Sequence, residues 1–477
     1  MSRPGTGNVR LRDWLDRAGW SHHELARRVH AAAVDAGHHG ITPDATGVRY
    51  WTRGGLPRPP RPALIAAVFS RHFGFTVTPA DLGIVLPDRP SVLDTLDLPW
   101  RSRSTVVATA ECVRADLMID RREAINDFAG CAVGAVLLGP LQEWLTAAPH
   151  DSHAQVGGRH IGMDDVAVIE QTTDVYRTWD ERYGGDLHRE SVLGQLLKTN
   201  NLLANASYSK PVGRRLRLAT ADLCGLVGWM AFDCGLHKFA QRYWTLGIHH
   251  AHDAGDRELA GYFLYEQASQ MMHLGRPGDA LELLQMAQYG ARNARSPHLR
   301  AWLLSCEAGA HARLGNTQEL HRTLGQAEEV LSGAPADEPV PTRLAFVTQA
   351  HLARDRGTHL RRLAGHQDGR TRRASLTTAL DSLQVGLTRI DSAHTYQRIR
   401  ARYLASAVET YTTAGEYDEA AVTAEQLADA IKNISSVRTR AEIHAVRQRL
   451  GAEPTDPRIR TLAEHLDRAA QLPLRVV

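Results

Sequence analysis

Residues 274–284, LGRPGDALELL, indicate the architecture of the chain, because their pattern predicts the end of one helix, a turn and the start of a second helix. Glycine adopts the left-handed conformation that ends a helix without steric cost, which suits Gly275. Ala280 is small enough to let the second helix approach the first closely. Related stretches occupy residues 234–244, 314–324 and 414–424. The sequence therefore predicts pairs of antiparallel helices.

The turn glycines recur at a regular interval. Gly235, Gly275 and Gly315 are 40 residues apart, and Gly415 follows 100 residues later. Small residues lie five positions after a glycine (Ala240, Ala280, Ala420) and seven positions before one (Gly228, Ala268, Ala308). Large apolar residues follow in the second helix at Trp244, Leu284 and Leu324, whereas Leu320 occupies a position where a small residue is expected.

This pattern resembles the tetratricopeptide repeat, in which small residues flank a glycine turn at these places. The usual unit is about 34 residues, so the helices or loops here are expected to be longer. Four repeats are recognisable and two or three more are expected, with an unclear register between residues 333 and 400. The alternative is a helical bundle without repeats. Both are all-α, and the resemblance favours a tetratricopeptide-like α-solenoid.

The N-terminal segment reads as short helices. Helix 1 is predicted at Leu11–Ala18, and Ser21 is a good N-cap for helix 2. Thr42 and Pro43 are predicted as the N-cap and first residue of helix 3, which stops at Gly54. In helix 3, Val48 and Trp51 should face the core, so the opposite face is expected to be free for a partner.

Two arginines on the free face of helix 3 favour DNA as the partner, because arginine grips guanine or phosphate with paired hydrogen bonds. The predicted DNA-binding residues are Ser21, His22, Ala45, Thr46, Arg49, Tyr50, Arg53 and Arg58.

The run from helix 2 to the prolines after helix 3 resembles the Cro/repressor-type helix-turn-helix, with Trp51, Arg53, Gly54 and Pro57 matching the tail of its recognition helix. An insertion at residues 30–40 departs from that family's tight turn. GVRYWTRGGLPRPPR also resembles the MerR-type motif, although a helix rather than a wing is expected downstream. Both resemblances imply binding to double-stranded DNA.

Charge and composition agree with a soluble two-part chain. The net charge is +3, but residues 1–90 hold twelve arginines and seven acids, so the head is basic and the remainder weakly acidic. The five cysteines are widely spaced, which argues against a disulfide framework. The N-terminus lacks a leader pattern, and the apolar run at residues 128–138 is too short for a membrane span. We therefore expect a cytoplasmic protein.

The inner face of the predicted repeats carries aromatic and polar residues. Counting back from the turn glycines, the residues predicted to bind a ligand are Asp222, Trp229, Asp233, Tyr262, Tyr265, Ser269 and Trp302. Aromatic rings with polar tips are good anchors for a peptide or a small amphipathic molecule. The alternative is that these rings only pack between neighbouring helix pairs.

Chemistry of catalysis or metal binding has no clear sequence signal. The histidines at 22–23, 38–39 and 249–252 have no cysteine or acid at ligand spacing, and are interpreted as solvated or capping residues. No nucleophile elbow, phosphate loop or dinucleotide motif occurs. The sequence predicts no enzyme activity, no metal and no cofactor.

A repressor-like head joined to tetratricopeptide-like repeats resembles peptide-receptor regulators of Gram-positive bacteria and repeat-bearing helix-turn-helix regulators of actinomycetes. The predicted organisation is a DNA-binding domain at residues 1–88, a connector at 89–163 and repeats at 164–477. The resemblance implies a homodimeric transcriptional regulator whose repeats sense a peptide or small molecule or bind a partner protein. The alternative is an interaction scaffold whose head no longer binds DNA.

Overall fold

The protein is all-α, as the sequence predicts: every regular element in the described residues is a helix. The computed structural model describes residues 7–35, 41–57, 61–73, 77, 79, 81–84, 95–100, 102–117, 131–148, 158–183, 188–293, 296–389, 397–431, 437–451 and 455–471.

The helices are α1 (Val9–Ala18), α2 (His22–Asp35), α3 (Ala45–Thr52), α4 (Arg61–Phe73), α5 (Ser102–Asp116), α6 (Ala135–Gln142), α7 (Met163–Tyr183), α8 (Arg189–Asn205), α9 (Lys210–Asp233), α10 (His237–Asp253), α11 (Arg257–His273), α12 (Pro277–Gly290), α13 (Pro297–Leu314), α14 (Thr317–Ser332), α15 (Gln349–Ala364), α16 (Gly369–Arg389), α17 (Gln397–Ala414), α18 (Tyr417–Ala430), α19 (Val437–Arg449) and α20 (Pro457–Gln471). Short 3-10 turns lie at Glu143–Leu145 and Thr342–Leu344.

The chain forms two compact units. One comprises Met1–Pro90 with Arg114–Asn126, and the other comprises Ser91–Val113 with Asp127–Val477. We call helices α1–α4 and the described residues up to Ile84 the head, and helices α7–α20 the array.

The head is built around one apolar core to which all four of its helices contribute. Leu11, Leu25, Ile65 and Phe69 are fully buried there together with Val48 of α3. The chain ends of the head are also joined, because the Asn8 side chain accepts a hydrogen bond from the Leu11 amide and donates one to the Gly83 carbonyl oxygen at 3.2 Å. The head thus has its own apolar core, and a hydrogen bond joins its first helix to the residues that follow its last helix.

The helix starts in the head follow the sequence with one correction. The hydroxyl of Ser21 accepts a hydrogen bond from the Glu24 amide at 3.2 Å, as the N-cap prediction requires. The prediction that Thr42 and Pro43 begin the third helix was wrong. Asp44 is the N-cap, since its carboxylate accepts from the Gly47 amide at 2.7 Å. An aspartate cap two residues later starts the helix at Ala45.

Consecutive helix pairs pack along the array as in an α-solenoid. The pairs are α9–α10, α11–α12, α13–α14, α15–α16, α17–α18 and α19–α20. The turn glycines Gly235, Gly275, Gly315 and Gly415 all have positive φ, between 73° and 86°, as predicted for left-handed helix ends. A pair also forms within residues 333–400, where the sequence register is unclear.

Small residues let the helices of a pair touch. Ala240, Ala280 and Ala420 are completely buried, and so is Leu320, the departure from the pattern. In the first pair, a Cβ added at Gly228 of α9 would lie 2.5 Å from Nε1 of Trp244 in α10. Only glycine leaves room there for the indole ring.

Three histidines of α10 correct a second expectation. The sequence predicts that His249, His250 and His252 are solvated or capping residues, but they are buried to 4% exposure or less. The ring of Trp100 stacks on His249 at 4.0 Å, and Nε2 of His250 lies 2.9 Å from the hydroxyl of Thr109 in α5. These contacts come from residues far away in the sequence, which cover the outer side of α10.

The apolar run at residues 128–138 is only partly helical in the described residues. Residues 128–130 lie outside them, and α6 begins at Ala135 and continues through Pro140 to Gln142. In the part of the chain that the structure describes, no helix has both the length and the apolar character needed to cross a bilayer.

The close approach at Gly228 predicts a large effect of a single methyl group. Gly228→Ala should lower the free energy of unfolding by about 1–3 kcal/mol, because the added Cβ overlaps the Trp244 ring in a filled core. Urea unfolding of the full chain measures this change.

Gly278→Ala is the matched control, since Gly278 is also helical but an added Cβ meets nothing within 4 Å. This variant should keep or slightly raise the stability, because alanine restricts the unfolded chain. Equal stability of the two variants would contradict the proposed packing at Gly228.

Candidate functional site

Helix α3 is held in the head by one face and leaves the other face open. Val48 and Trp51 are buried, at 0% and 5% exposure, as the sequence predicts. Thr46, Arg49, Tyr50 and Arg53 are exposed on the rest of the helix, and Ala45 is half-buried. We call these five residues the α3 face.

The two arginines of the α3 face differ electrostatically from those of α2. Arg27 and Arg28 both contact Glu24, at 2.8 and 2.7 Å, and the hydrogen bond from Arg27 does most to lower the pKa of Glu24 to about 2. Among the described residues, no carboxylate contacts Arg49 or Arg53. Both guanidinium groups therefore face solvent, with no counterion in the part of the chain that the structure describes.

The remaining predicted DNA-binding residues lie around α2 and after α3. Ser21 is exposed and caps α2, and His22 is half-buried in its first turn. The Tyr50 ring is 61% exposed and lies over the Gly55 backbone, where an added Cβ would come within 2.3 Å of the ring. Arg58 lies outside the described residues.

The array contains a cavity of about 720 Å³. Its walls come mainly from the first helix of successive pairs, α9, α11, α13, α15, α17 and α19, together with α7 and the 3-10 turn at 342–344. Contacts with α7 close this row of helices. The Ile399 amide donates to Glu181 at 3.3 Å, and the Thr342 hydroxyl donates to Asp174 at 3.4 Å. The cavity is thus surrounded by helices on several sides.

A continuous row of aromatic rings forms one wall of the cavity. Centroid distances are 5.7 Å from Tyr262 to Tyr265, 5.2 Å from Tyr265 to Trp302 and 5.1 Å from Trp302 to Phe346. The last two contacts are edge-to-face, the favoured geometry for aromatic pairs. Nε1 of Trp302 is buried and has no hydrogen-bond partner among the described residues. This aromatic wall joins α11, α13 and the residues before α15.

Charged side chains make up much of the rest of the lining. Arg177 donates to Asp222 at 2.6 Å and thereby ties α7 to α9. Arg361 donates to Glu409 at 2.6 Å and ties α15 to α17. Ion pairs that join different helices fix the walls before any ligand arrives.

Buried titratable groups lie where the aromatic wall meets the arginines. The ring centroids of His351 and Trp302 are 4.9 Å apart, and Nε2 of His351 is 3.9 Å from a carboxylate oxygen of Asp355. Burial lowers the pKa of His351 to about 3, despite the opposing effect of Asp355. Burial likewise lowers the pKa of His359 to about 4. Both imidazoles are therefore neutral near neutral pH, whereas Arg354 holds the Asp355 carboxyl in its charged form.

Most of the predicted ligand-binding residues meet in this cavity. Asp222, Trp229, Tyr262, Tyr265, Ser269 and Trp302 line it. The structure places Asp233 outside the lining, with 1% of its surface exposed. Sequence reasoning missed the arginines and Phe346. Arg343, Phe346 and the arginines of α15 lie within residues 333–400, where the repeat register is unclear, and the count from the turn glycines did not single out the other arginines. Within the described ranges, no three His, Cys, Asp or Glu side chains are grouped so that they could hold a metal ion.

Comparison with known proteins bears on the head alone. Residues 11–85 match the family model described as the SP15 N-terminal domain. The head is similar to that domain. The matched range covers α1–α4 and includes the whole α3 face, but the description states no activity or ligand. No curated protein matches the chain.

The buried state of His351 predicts acid sensitivity of the array. The unfolded chain takes up a proton at this side chain near pH 6.5, but the folded chain only near pH 3, so stability falls as the pH falls from about 6.5. Between about pH 7 and about pH 5 this one residue should cost about 2 kcal/mol of unfolding free energy.

His351→Phe should remove that part of the pH dependence, because it keeps an aromatic ring beside Trp302 but cannot be protonated. Urea unfolding of the full chain at the two pH values measures the difference. His321→Phe, on the exposed side of α14, is the control and should leave the wild-type pH dependence in place. An unchanged pH dependence in His351→Phe would show that His351 is not buried as a neutral group.

Proposed function

We propose that this protein is a DNA-binding transcriptional regulator whose array binds a signal molecule in its central cavity. The observation that carries the proposal is the α3 face. Arg49 and Arg53 lie exposed there, with no acidic partner among the described residues, on a helix fixed from behind by Val48 and Trp51. A rigid helix with free arginines is suited to enter a major groove.

The arrangement of α2 and α3 supports a helix-turn-helix role. Both helices pack on the same core, and α2 begins with a Ser21 cap whose neighbouring amides are available to a phosphate. In the Cro/repressor type that the sequence resembles, the first helix of the motif crosses the backbone and the second reads bases. We assign these roles to α2 and α3. The excess of arginine over acids in the head adds non-specific attraction to DNA.

The signal-binding part of the proposal rests on the cavity. Its volume is within the range of about 300–1,000 Å³ that small-molecule sites occupy, and its aromatic wall is combined with fixed charged groups. We further propose a cytoplasmic homodimer, because two heads on one DNA site multiply affinity and read two half-sites.

DNA binding by the full chain should depend steeply on salt. Each neutralised phosphate contributes about −0.9 to the slope of log affinity against log salt, so contacts from α2 and α3 should give a slope of about −3 or steeper. Fluorescence anisotropy with a labelled random duplex measures it. Absence of binding at low salt would refute the regulator proposal and leave the scaffold alternative.

The two arginines should have separable roles. Arg49→Ala should reduce discrimination between a selected duplex and a random duplex by roughly 1–3 kcal/mol, because a bidentate contact to guanine is lost. Arg53→Ala, at the end of the helix, should weaken binding to both duplexes equally, because it removes a phosphate contact. Arg71→Ala is the control, since Arg71 of α4 already pairs with Asp35 at 3.4 Å. Identical behaviour of the Arg49 and Arg53 variants would contradict the assignment.

A further inference from the structure

The two halves of the cavity lining carry opposite formal charge. The half formed by α7, α9 and α11 contains one arginine and four carboxylates: Arg177, Asp180, Glu181, Asp222 and Glu266. The half formed by α13, the 3-10 turn, α15, α17 and α19 contains two carboxylates, Asp355 and Glu409, and six arginines: Arg313, Arg343, Arg354, Arg361, Arg362 and Arg402. We call these six residues the arginine arc.

The carboxylates near the arginine arc are already engaged. Asp355 forms an ion pair with Arg354. Glu409 accepts from Arg361 and also from Arg449, each at 2.6 Å. Within this half of the lining the formal count is six arginines to two carboxylates, and this formal excess of positive charge borders a partly enclosed space where screening by water is reduced.

Two observations locate positive potential at the cavity wall. Arg354 and Arg402 both help to keep His351 neutral, although Asp355 acts in the opposite direction. Arg343 is half-buried with its Nε atom lacking a hydrogen-bond partner, and no carboxylate among the described residues contacts it. A buried guanidinium nitrogen without a partner is costly unless a ligand supplies an acceptor.

The aromatic wall adjoins this arc. The ring centroid of Trp302 lies 5.1 Å from that of Phe346 and 4.9 Å from that of His351. Phe346 lies only three residues after Arg343. A planar ring resting on Trp302 would thus place its substituents near the arginines. The contacts of α7 with α17 and the 3-10 turn limit the space, which favours a compact ligand over a long extended segment.

We propose that the ligand of this cavity is a small organic anion, with an aromatic body against Trp302 and Phe346 and an anionic oxygen group held by the arginine arc. The group is a carboxylate, phosphate or sulfonate, since the arginine fork matches all three. This inference rests on the proposed function only for its regulatory meaning, because binding itself requires no DNA.

The test compares a charged and an uncharged aromatic probe on the full chain. Anilinonaphthalene sulfonate and the neutral phenylnaphthylamine are titrated separately, with fluorescence as the signal. We expect saturable binding of the sulfonate that is about tenfold or more tighter than binding of the neutral probe, because only the sulfonate forms charge-assisted hydrogen bonds with the arginines. Displacement of the sulfonate by naphthoate and by naphthyl phosphate, each compared with neutral naphthol, identifies the preferred anion.

Substitutions connect the preference to the arc. Arg343→Gln should weaken sulfonate binding about tenfold and leave the neutral probe unaffected, and Arg402→Gln should act in the same direction if Arg343→Gln does not fold. Trp302→Leu should weaken both probes. Arg300→Gln is the control, because Arg300 is exposed on α13 and does not line the cavity.

The outcomes are distinguishable. Equal affinity for the two probes, displacement by naphthol as effective as by either anion, or unchanged sulfonate affinity in the folded arginine variants would overturn the proposed ligand class. A chain that prefers the anion but does not bind DNA would support the ligand class and refute the regulator proposal. A chain that binds DNA without an anion preference would support the DNA-binding proposal and refute the proposed ligand class.

Discussion

Close contact between the two helices of each pair is the constraint on which the array depends. At Gly228 the Trp244 ring of the neighbouring helix occupies the space that a side chain at position 228 would need. Buried alanines at 240, 280 and 420 permit similar contacts between helices. The second helices bury large residues such as Leu284 and Leu324, and most of the cavity lining comes from the first helices of the pairs. Pairing through small residues is thus part of the arrangement that brings the first helices to the cavity.

The sequence predicts the fold wherever a local rule governs it, and fails where packing decides. Left-handed glycines mark the turns at Gly235, Gly275, Gly315 and Gly415 because that conformation is intrinsic to glycine. Helix α15 ends differently, at Gly365 with φ −65°, so the same signal does not reveal the α15–α16 pair. The start of α3 has two acceptable caps within three residues, and local sequence alone does not choose between them.

The prediction of site residues succeeds and fails for the same reason: local patterns are visible in the sequence, whereas contacts formed by packing are not. Counting from the turn glycines places Trp229, Tyr262, Tyr265 and Trp302 in the cavity lining, since helical period is a local property. The arginine arc is assembled by residues that come together only when α13, α15 and α17 pack, so its members have no common sequence spacing. Burial of His250 likewise depends on Thr109, which lies 141 residues earlier in the chain.

Gathering arginines around one cavity has an energetic consequence for the array itself. Like charges repel more strongly where water is scarce, so on the proposed ligand class the excess of arginine over carboxylate in this half of the lining would oppose the packing of α13 against α15 and of α15 against α17. The ion pairs of Arg361 with Glu409 and of Arg354 with Asp355 reduce this repulsion in part. Arg343 has no carboxylate partner among the described residues. On the proposed ligand class, an anion would relieve the remaining repulsion and stabilise the folded array in proportion to its occupancy. The signal would then act by tightening contacts between helices that already touch. Such a mechanism would need no change of fold. It would require only that the helices of the array pack less tightly without the anion than with it.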